Sequence, residues 1–219
     1  KKLLFQIQQL DINLPNYEIF NFIWGDEITD EIRNKYCKTD YSMKYHGRNI
    51  INNPLTNGEI SLFLNYIECL RKIRREFKEG NFLILESDVI FSNEFNHFFK
   101  KIVESLPKLN NWDIINIGCG SRNYLKRFNY PKTIPFIINN IKFHNENINC
   151  CAESIIWNYK SICKFLDYFE INEDIDSPID TKMDIFSDVK NKFNIFWSVP
   201  FLIKQGSLEK MDGYQSTLH

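Results

Sequence analysis

Residues 82–89 of the chain read Phe-Leu-Ile-Leu-Glu-Ser-Asp-Val, an apolar run that ends in two carboxylates. Four apolar residues in succession predict a strand that is covered on both faces, as in a parallel α/β sheet. Residues i and i+2 of an extended backbone point to the same side, so Glu86 and Asp88 are expected to converge. Ligands of open α/β sheets bind beyond the carboxyl ends of the strands, which is where this pair lies.

Glu86 and Asp88 require a neighbouring group that offsets the repulsion between their charges. Carboxylates held together repel one another unless a cation or a shared proton relieves them. Mg²⁺ and Mn²⁺ favour oxygen ligands, and they commonly take one or two carboxylates together with water and phosphate oxygens. We therefore interpret Glu86 and Asp88 as ligands of Mn²⁺ or Mg²⁺. The alternative interpretation is that both acids are solvated residues at a strand-to-loop junction.

A long amphipathic helix is predicted before this strand. Thr56-Asn57-Gly58-Glu59 has the pattern of a capping box, in which the Thr and Glu side chains satisfy each other's backbone N–H groups. Apolar residues then recur at helical spacing from Ile60 to Phe77, and Gly80 is expected to end the helix.

The remaining elements alternate between the two types. Strands are predicted at 17–23 and 113–117, in shorter runs within 131–157, and at 195–203, where Pro200 interrupts the run. Helices are predicted at 1–10, 26–36, 93–106, 161–169 and 179–189, and residues 40–53 are predicted to be a loop. This order predicts an α/β protein, with a mainly parallel central sheet flanked by helices.

A glycine-containing segment follows the strand predicted at 113–117. Gly118-Cys119-Gly120-Ser121 fits neither the dinucleotide fingerprint nor the Walker pattern, so we interpret it as a strand-to-loop turn.

Composition disfavours several functional classes. The chain has 219 residues, 43% apolar and 25% charged, with a net charge of −1, which is typical of a globular domain. Nucleic-acid binders usually carry a basic excess, and the one basic run, residues 71–75, lies on the predicted long helix as a solvated face. We therefore expect no nucleic-acid partner. Six cysteines without a C-x-x-C pair disfavour a zinc site, and we expect free thiols.

Three absences in the sequence indicate the cellular compartment in which the protein is expected. It shows no signal peptide, no apolar stretch of membrane-spanning length and no N-x-[ST] glycosylation acceptor. These observations favour a cytoplasmic setting without a membrane span.

The order of the motifs resembles glycosyltransferase family 25, which includes bacterial lipooligosaccharide and collagen hydroxylysine galactosyltransferases. Residues 55–60, Leu-Thr-Asn-Gly-Glu-Ile, are similar to the family's L-T-x-G-E-I-G helix start, and 84–88, Ile-Leu-Glu-Ser-Asp, to its I-L-E-D-D strand end. Trp112-Asp113 and Ser177-Pro178-Ile179-Asp180 resemble its W-D and P-[VI]-D patterns. Pro200, Gln205 and Ser216 resemble its closing P…Q…S pattern, so that the resemblance spans residues 17–217.

The resemblance implies a GT-A-like fold, a UDP-sugar donor, a divalent metal and inversion at the anomeric carbon. It implies transfer of a hexose, galactose or glucose, to a hydroxyl of a glycan or of a hydroxylysine-type protein acceptor. Asp180 is then the candidate catalytic base or acceptor-orienting group, with Asp184 as its substitute. Asp180 is otherwise an ordinary acid at a helix N-terminus. Gln205 and Glu59 are candidate donor- or acceptor-binding residues, although capping alone accounts for Glu59.

Three departures from the family keep other functions open. The Ser-His of the family's long helix is Asn65-Tyr66 here, and the middle acid of E-D-D is Ser87. The family's first strand, of the V-I-N-L type, precedes anything in this chain, which we treat as a single domain, 1–219, without that strand. The changed Asn65-Tyr66 and the absent first strand favour a catalytically inactive binding or scaffold domain as the alternative, whereas the acids at positions 86, 88 and 180 oppose it. A phosphatase or nucleotidyltransferase could use the same acidic pair, and an exposed apolar helix face could support a homodimer.

Overall fold

A computed structural model describes residues 7, 17–38, 44–45, 48–49, 55–119, 133–146, 152–171, 173–190 and 193–206. The helix predicted at 1–10 falls almost entirely outside these residues. Gly120, Ser121, Cys150, Cys151 and Ser216 also lie outside them.

The described elements follow the predicted alternation from residue 56 onward, whereas the loop predicted at 40–53 contains two short strands that pair antiparallel. The helices are α1 (Asp30–Tyr36), α2 (Asn57–Glu76), α3 (Phe95–Ser105), α4 (Tyr159–Glu170) and α5 (Ile179–Lys190). The strands are β1 (Lys44–Tyr45), β2 (Arg48–Asn49), β3 (Asn81–Leu85), β4 (Val89–Phe91), β5 (Ile114–Asn116), β6 (Phe136–Ile138), β7 (Ile141–Asn145), β8 (Ser154–Asn158), β9 (Ile195–Val199) and β10 (Ile203–Gln205). Short 3-10 turns occur at Gly25–Glu27 and Leu106–Lys108.

The central sheet has the predicted α/β class but not the predicted strand direction. Among the described strands, six form one sheet in the order β3-β8-β5-β9-β7-β6. Its parallel pair is β5–β9, and the other four pairings are antiparallel. The prediction of a mainly parallel sheet was therefore wrong. An apolar run reports that both faces of a strand are covered, and it carries no information about the direction of the neighbouring strand.

The sheet carries a hydrophobic core on each face. Helices α2, α4 and α5 contribute to one core, and α3 contributes to the other. Within β3, Phe82 and Ile84 pack against the first core, whereas Leu83 and Leu85 pack against the second. The run of four apolar residues thus reflects a strand covered on both faces, although β3 lies at the edge of the sheet and its side chains are half-buried.

A tight hairpin explains the antiparallel pairing of β6 with β7. Asn139 and Asn140 connect β6 to β7 with φ angles of 52° and 63°. Positive φ at both loop residues is the geometry of a two-residue type I′ hairpin turn, which asparagine tolerates. This turn was the sequence signal for an antiparallel segment, and the prediction of a mainly parallel sheet did not use it.

Helix α2 begins as predicted and ends earlier than predicted. The Thr56 hydroxyl accepts from Glu59 N at 3.2 Å, and Glu59 Oε2 accepts from Thr56 N at 2.8 Å, which confirms the capping box. The helix ends at Glu76, and Gly80, with a φ of 121°, belongs to the connection to β3.

The strand predicted at 17–23 is wrong, because these residues form no β ladder. Side chains of α2 hold this segment instead. Asn65 Nδ2 donates to Ile23 O at 2.6 Å, and the Ser61 hydroxyl donates to the same carbonyl at 2.9 Å. The segment is therefore attached through side-chain hydrogen bonds, which an alternating apolar pattern does not reveal.

The basic run on α2 connects two helices. Arg74 forms an ion pair with Glu170 of α4 at 2.7 Å, and Arg71 contacts Glu170 at 3.1 Å and Glu173 at 2.7 Å. Two of the basic residues thus face acids in or just after a neighbouring helix rather than solvent alone.

Tyr66, at the position of the family histidine, lies in the core. It is 4% exposed, and its hydroxyl accepts a hydrogen bond from Trp157 Nε1 at 3.0 Å. Trp157 itself is fully buried on β8. This pair therefore joins α2 to β8, the neighbour of β3 in the sheet.

We expect Thr56→Ala to lower the free energy of unfolding by about 1 kcal/mol, because the first turn of α2 loses its cap. Urea denaturation measures the change. Thr56→Ser is the matched control, since it keeps the hydroxyl and should remain close to wild type. Equal losses in both variants would contradict a capping role.

We expect Tyr66→Phe to lower the free energy of unfolding by about 1–3 kcal/mol, because Trp157 Nε1 would remain buried without its acceptor. The same denaturation experiment applies. Tyr17→Phe, at a side chain that is 54% exposed, is the control and should have little effect. A Tyr66→Phe variant as stable as the control would show that this hydrogen bond contributes nothing.

Candidate active site

The acidic segment lies between a strand of the central sheet and a strand of a smaller one. Glu86 directly follows β3, and Asp88 lies in the turn that leads into β4. Strand β4 pairs antiparallel with β10, and Asp88 O accepts from Gly206 N at 2.7 Å beyond the end of that pair. The acids thus occupy a turn rather than the extended backbone that the sequence predicted.

Glu153 stands opposite Glu86. Glu86 N donates to Glu153 O at 2.9 Å, which continues the β3–β8 register beyond the pair of Leu85 and Ser154. Residues directly opposite in an antiparallel pair present their side chains on the same face. Glu153 is 2% exposed, so this second glutamate is buried beside the first. Sequence reasoning missed Glu153, because a parallel neighbour for β3 would not have placed this residue there.

Glu86 lies among other carboxylates. Its pKa is raised well above the usual range, first by burial and then by repulsion from Glu153, Asp88 and Asp180. The structure therefore brings the predicted acidic pair near Asp180, which comes from a distant part of the chain. It also adds Glu153 to that group.

Asp180 lies in the first turn of α5, at the acidic cluster. Its Oδ1 accepts from Thr181 N at 2.7 Å. Burial raises its pKa, the hydrogen bonds from Thr181 act in the opposite direction, and Glu59 adds a repulsion that raises it further. Asp184, one turn later, is 2% exposed. Of the two, Asp180 is the more accessible carboxylate.

Glu59 and Gln205 border this group. Glu59 caps α2 and is near enough to Asp180 to act on its pKa, so the N-termini of α2 and α5 approach each other here. Gln205 lies on β10 opposite Val89, next to the contact between Asp88 and Gly206. Both residues are therefore located beside the acids, and their interpretation as binding residues stays a prediction.

The lack of a side chain at Gly118 leaves room for the Glu153 carboxylate. Gly118 forms a parallel bridge with Ile203, so it continues the sheet where the sequence predicted a turn. A Cβ at this position would lie 2.9 Å from Glu153 Oε1 and 3.1 Å from Ile203 O, and it would collide with the Ser154 hydroxyl. The absence of a side chain at Gly118 thus allows the buried carboxylate to lie against β5.

The residues present suit a hard divalent cation that also binds a ligand. In the described part of the chain, no group of three His, Cys, Asp or Glu side chains could hold a metal ion by itself. Glu86 and Asp88 supply two carboxylates, and the excess of negative charge around Glu86 favours a cation. Such ions often complete their coordination with water and phosphate oxygens, so a pair of carboxylates is a chemically sufficient donor set.

None of the described helices combines the length and the apolarity that crossing a membrane requires.

A comparison with models of protein families matches residues 4–175 to the family described as glycosyltransferase family 25 (LPS biosynthesis protein). The match covers well over half of the chain and ends before Asp180 and Gln205. A search of the curated proteins finds no match. The family resemblance identified from the ordered motifs is confirmed. The chain therefore belongs to glycosyltransferase family 25, which makes glycosyl transfer from a sugar donor to an acceptor its class of activity.

Proposed function

We propose that the chain is a metal-dependent, inverting hexosyltransferase that moves galactose or glucose from a UDP-sugar to a hydroxyl of a glycan or of a hydroxylysine-type protein acceptor. The observation that carries the proposal is that both Asp88 and Asp180 lie near enough to Glu86, beyond the end of β3, to raise its pKa by charge repulsion. This arrangement provides a cation-binding pair and a separate carboxylate at the same place, which are the two functions that the reaction needs.

Glu86 and Asp88 are the residues that would hold Mn²⁺ or Mg²⁺. A cation held there would offset the charge that develops on the diphosphate leaving group. Their position in a short turn between β3 and β4 fixes the backbone on both sides, since Glu86 N and Asp88 O both make hydrogen bonds to neighbouring segments. A fixed backbone favours a pre-organised binding site.

Asp180 is the proposed general base. In a single displacement the acceptor oxygen forms a bond to the anomeric carbon while the bond from that carbon to the diphosphate oxygen breaks. The hydroxyl proton passes to the Asp180 carboxylate. A base works best when its pKa approaches the operating pH, and burial together with Glu59 raises the pKa of Asp180 in that direction.

Gln205 and Glu59 are proposed to orient the substrates. Gln205 offers both an amide donor and a carbonyl acceptor, which suit sugar hydroxyls. Glu59 keeps one carboxylate oxygen engaged with the Thr56 backbone, while the carboxylate has further acceptor capacity. Both residues lie beside the acids without belonging to the proposed cation pair.

A non-catalytic binding or scaffold domain is the second candidate. The observation that favours it is the purely structural engagement of Asn65 and Tyr66 at the family's Ser-His position. The stability of the protein with Mn²⁺ and UDP distinguishes the transferase from the non-catalytic domain. A ligand at 100 times its Kd should add about 2.7 kcal/mol to the free energy of unfolding. The proposal requires this stabilisation, and a scaffold that has lost the donor site would not show it.

We expect wild-type protein to release UDP from one member of a UDP-sugar panel only when Mn²⁺ or Mg²⁺ is present, and Asp88→Ala to abolish this release. The loss follows from removal of one of two cation ligands. Glu104→Gln, at an exposed acid of α3, is the control and should retain full turnover. Metal-independent release, or release of phosphate without a sugar acceptor, would contradict the proposal and favour a phosphatase or nucleotidyltransferase.

We expect Asp180→Asn to lower turnover by roughly 10²–10⁴, the usual contribution of a general base, while leaving UDP binding nearly unchanged. Initial rates and calorimetric UDP titration separate the two effects. Asp184→Asn is the matched comparison on the same helix. A full rate in Asp180→Asn would remove Asp180 from the mechanism, and a selective loss in Asp184→Asn would transfer the role to Asp184.

A further inference from the structure

We propose that Glu153 is a positioning residue whose charge, set directly against Glu86, makes the end of the β3–β8 pair depend on a bound divalent cation. This inference rests on the proposed function, because it assumes that the cation binds at Glu86 and Asp88. Through its charge, Glu153 affects both the stability of the strand pair and the affinity for the cation.

Glu153 lies where the β3–β8 ladder ends. The five register pairs of β3 and β8 consist of neutral residues, such as Leu85 opposite Ser154 and Ile84 opposite Ile155. The next pair along, joined by the 2.9 Å hydrogen bond, is Glu86 with Glu153. Like charges directly opposite each other destabilise an antiparallel pair. The ladder thus ends in a repulsive contact that neutral residues at this point would avoid.

Packing confines the Glu153 side chain. With 2% of its surface exposed, the side chain cannot turn into solvent to escape Glu86. Its Oε1 lies so close to Gly118 that a Cβ there would approach it to 2.9 Å. Among the described residues, the charged groups that act on Glu86 are all carboxylates. The repulsion is therefore held in place by packing.

Two neighbouring polar groups point to a ligand at this place. The Ser154 hydroxyl is 1% exposed, has no hydrogen-bond partner within the described residues, and borders the same space beside Gly118 as Glu153 Oε1. Asn116 is also buried, and its Nδ2 has no partner within the same part of the chain. Asn116 pairs with Ile155, two residues after Glu153, so the Asn116 and Glu153 side chains share a face of the sheet. Buried polar groups are normally satisfied, so water or a hydrated ion is expected here.

A cation at Glu86 and Asp88 would turn the destabilising effect of the Glu153 charge into a favourable one. Without the ion, the buried carboxylate opposes Glu86 and weakens the strand pair. With the ion, the same charge lies just outside the ligand pair and adds to the attraction for the cation. Stability and cation occupancy are therefore linked through this one side chain.

The test is E153Q, which keeps the shape of the side chain and removes its charge. We expect the melting temperature of the metal-free protein to rise by about 2–4 °C. We also expect the Kd for Mn²⁺, measured by electron paramagnetic resonance of the free ion, to weaken by about 10–100-fold, as for other residues that support metal ligands. Glu104→Gln is the control and should change neither value.

A double-mutant cycle separates opposition to Glu86 from simple relief of a buried charge. If the two glutamates oppose each other, E153Q should raise the melting temperature of metal-free wild type and raise that of E86Q by much less. Equal shifts in both backgrounds would overturn the proposal, as would an E153Q protein that fails to fold. Mn²⁺ binding that E153Q leaves unchanged overturns the role of Glu153 alone. Absence of Mn²⁺ binding by the wild type would instead overturn the cation assignment in the proposed function.

Discussion

The antiparallel pairing of β3 with β8 positions both the acidic cluster and the buried contact between Tyr66 and Trp157. Its register carries Glu86 and Glu153 to the same point, and the 2.9 Å hydrogen bond between their backbones fixes them there. The same pairing places Trp157 beneath α2, where Tyr66 accepts its N–H. The core on one face of the sheet and the acidic cluster beyond the end of β3 thus both depend on this one strand pairing.

Several features could be predicted from the sequence because their causes are local. The capping box at Thr56 and Glu59 involves groups three residues apart, and the apolar run ending at Leu85 reports directly that both faces of β3 are covered. The helices predicted at 93–106, 161–169 and 179–189 depend on periodicity within each segment, and all three are present. The family resemblance rested on the order of such local motifs.

Features that depend on distant partners could not be predicted in the same way. The direction of β8 relative to β3 depends on pairing between two segments that are distant in the sequence, and Glu153 gains its neighbour only through that pairing. The segment at 17–23 is held by Asn65 and Ser61, whose hydrogen bonds leave no periodic trace. For the candidate site, the acidic pair was visible as a motif, whereas its nearness to Asp180 depended on tertiary structure.

The order of β3 and β8 along the chain has a consequence for how the protein is made. β3 and its apolar run emerge from the ribosome well before β8, and β8 is the only partner that β3 has in the described sheet. Until β8 arrives, Phe82, Leu83, Ile84 and Leu85 belong to an unpaired apolar strand, which is the kind of segment that aggregates during slow, non-local folding. The charged residues that end this strand, Glu86 and Asp88, would then act as gatekeepers against self-association. The nascent chain would thus gain solubility from the same carboxylates that assemble into the candidate site only after β8 is in place.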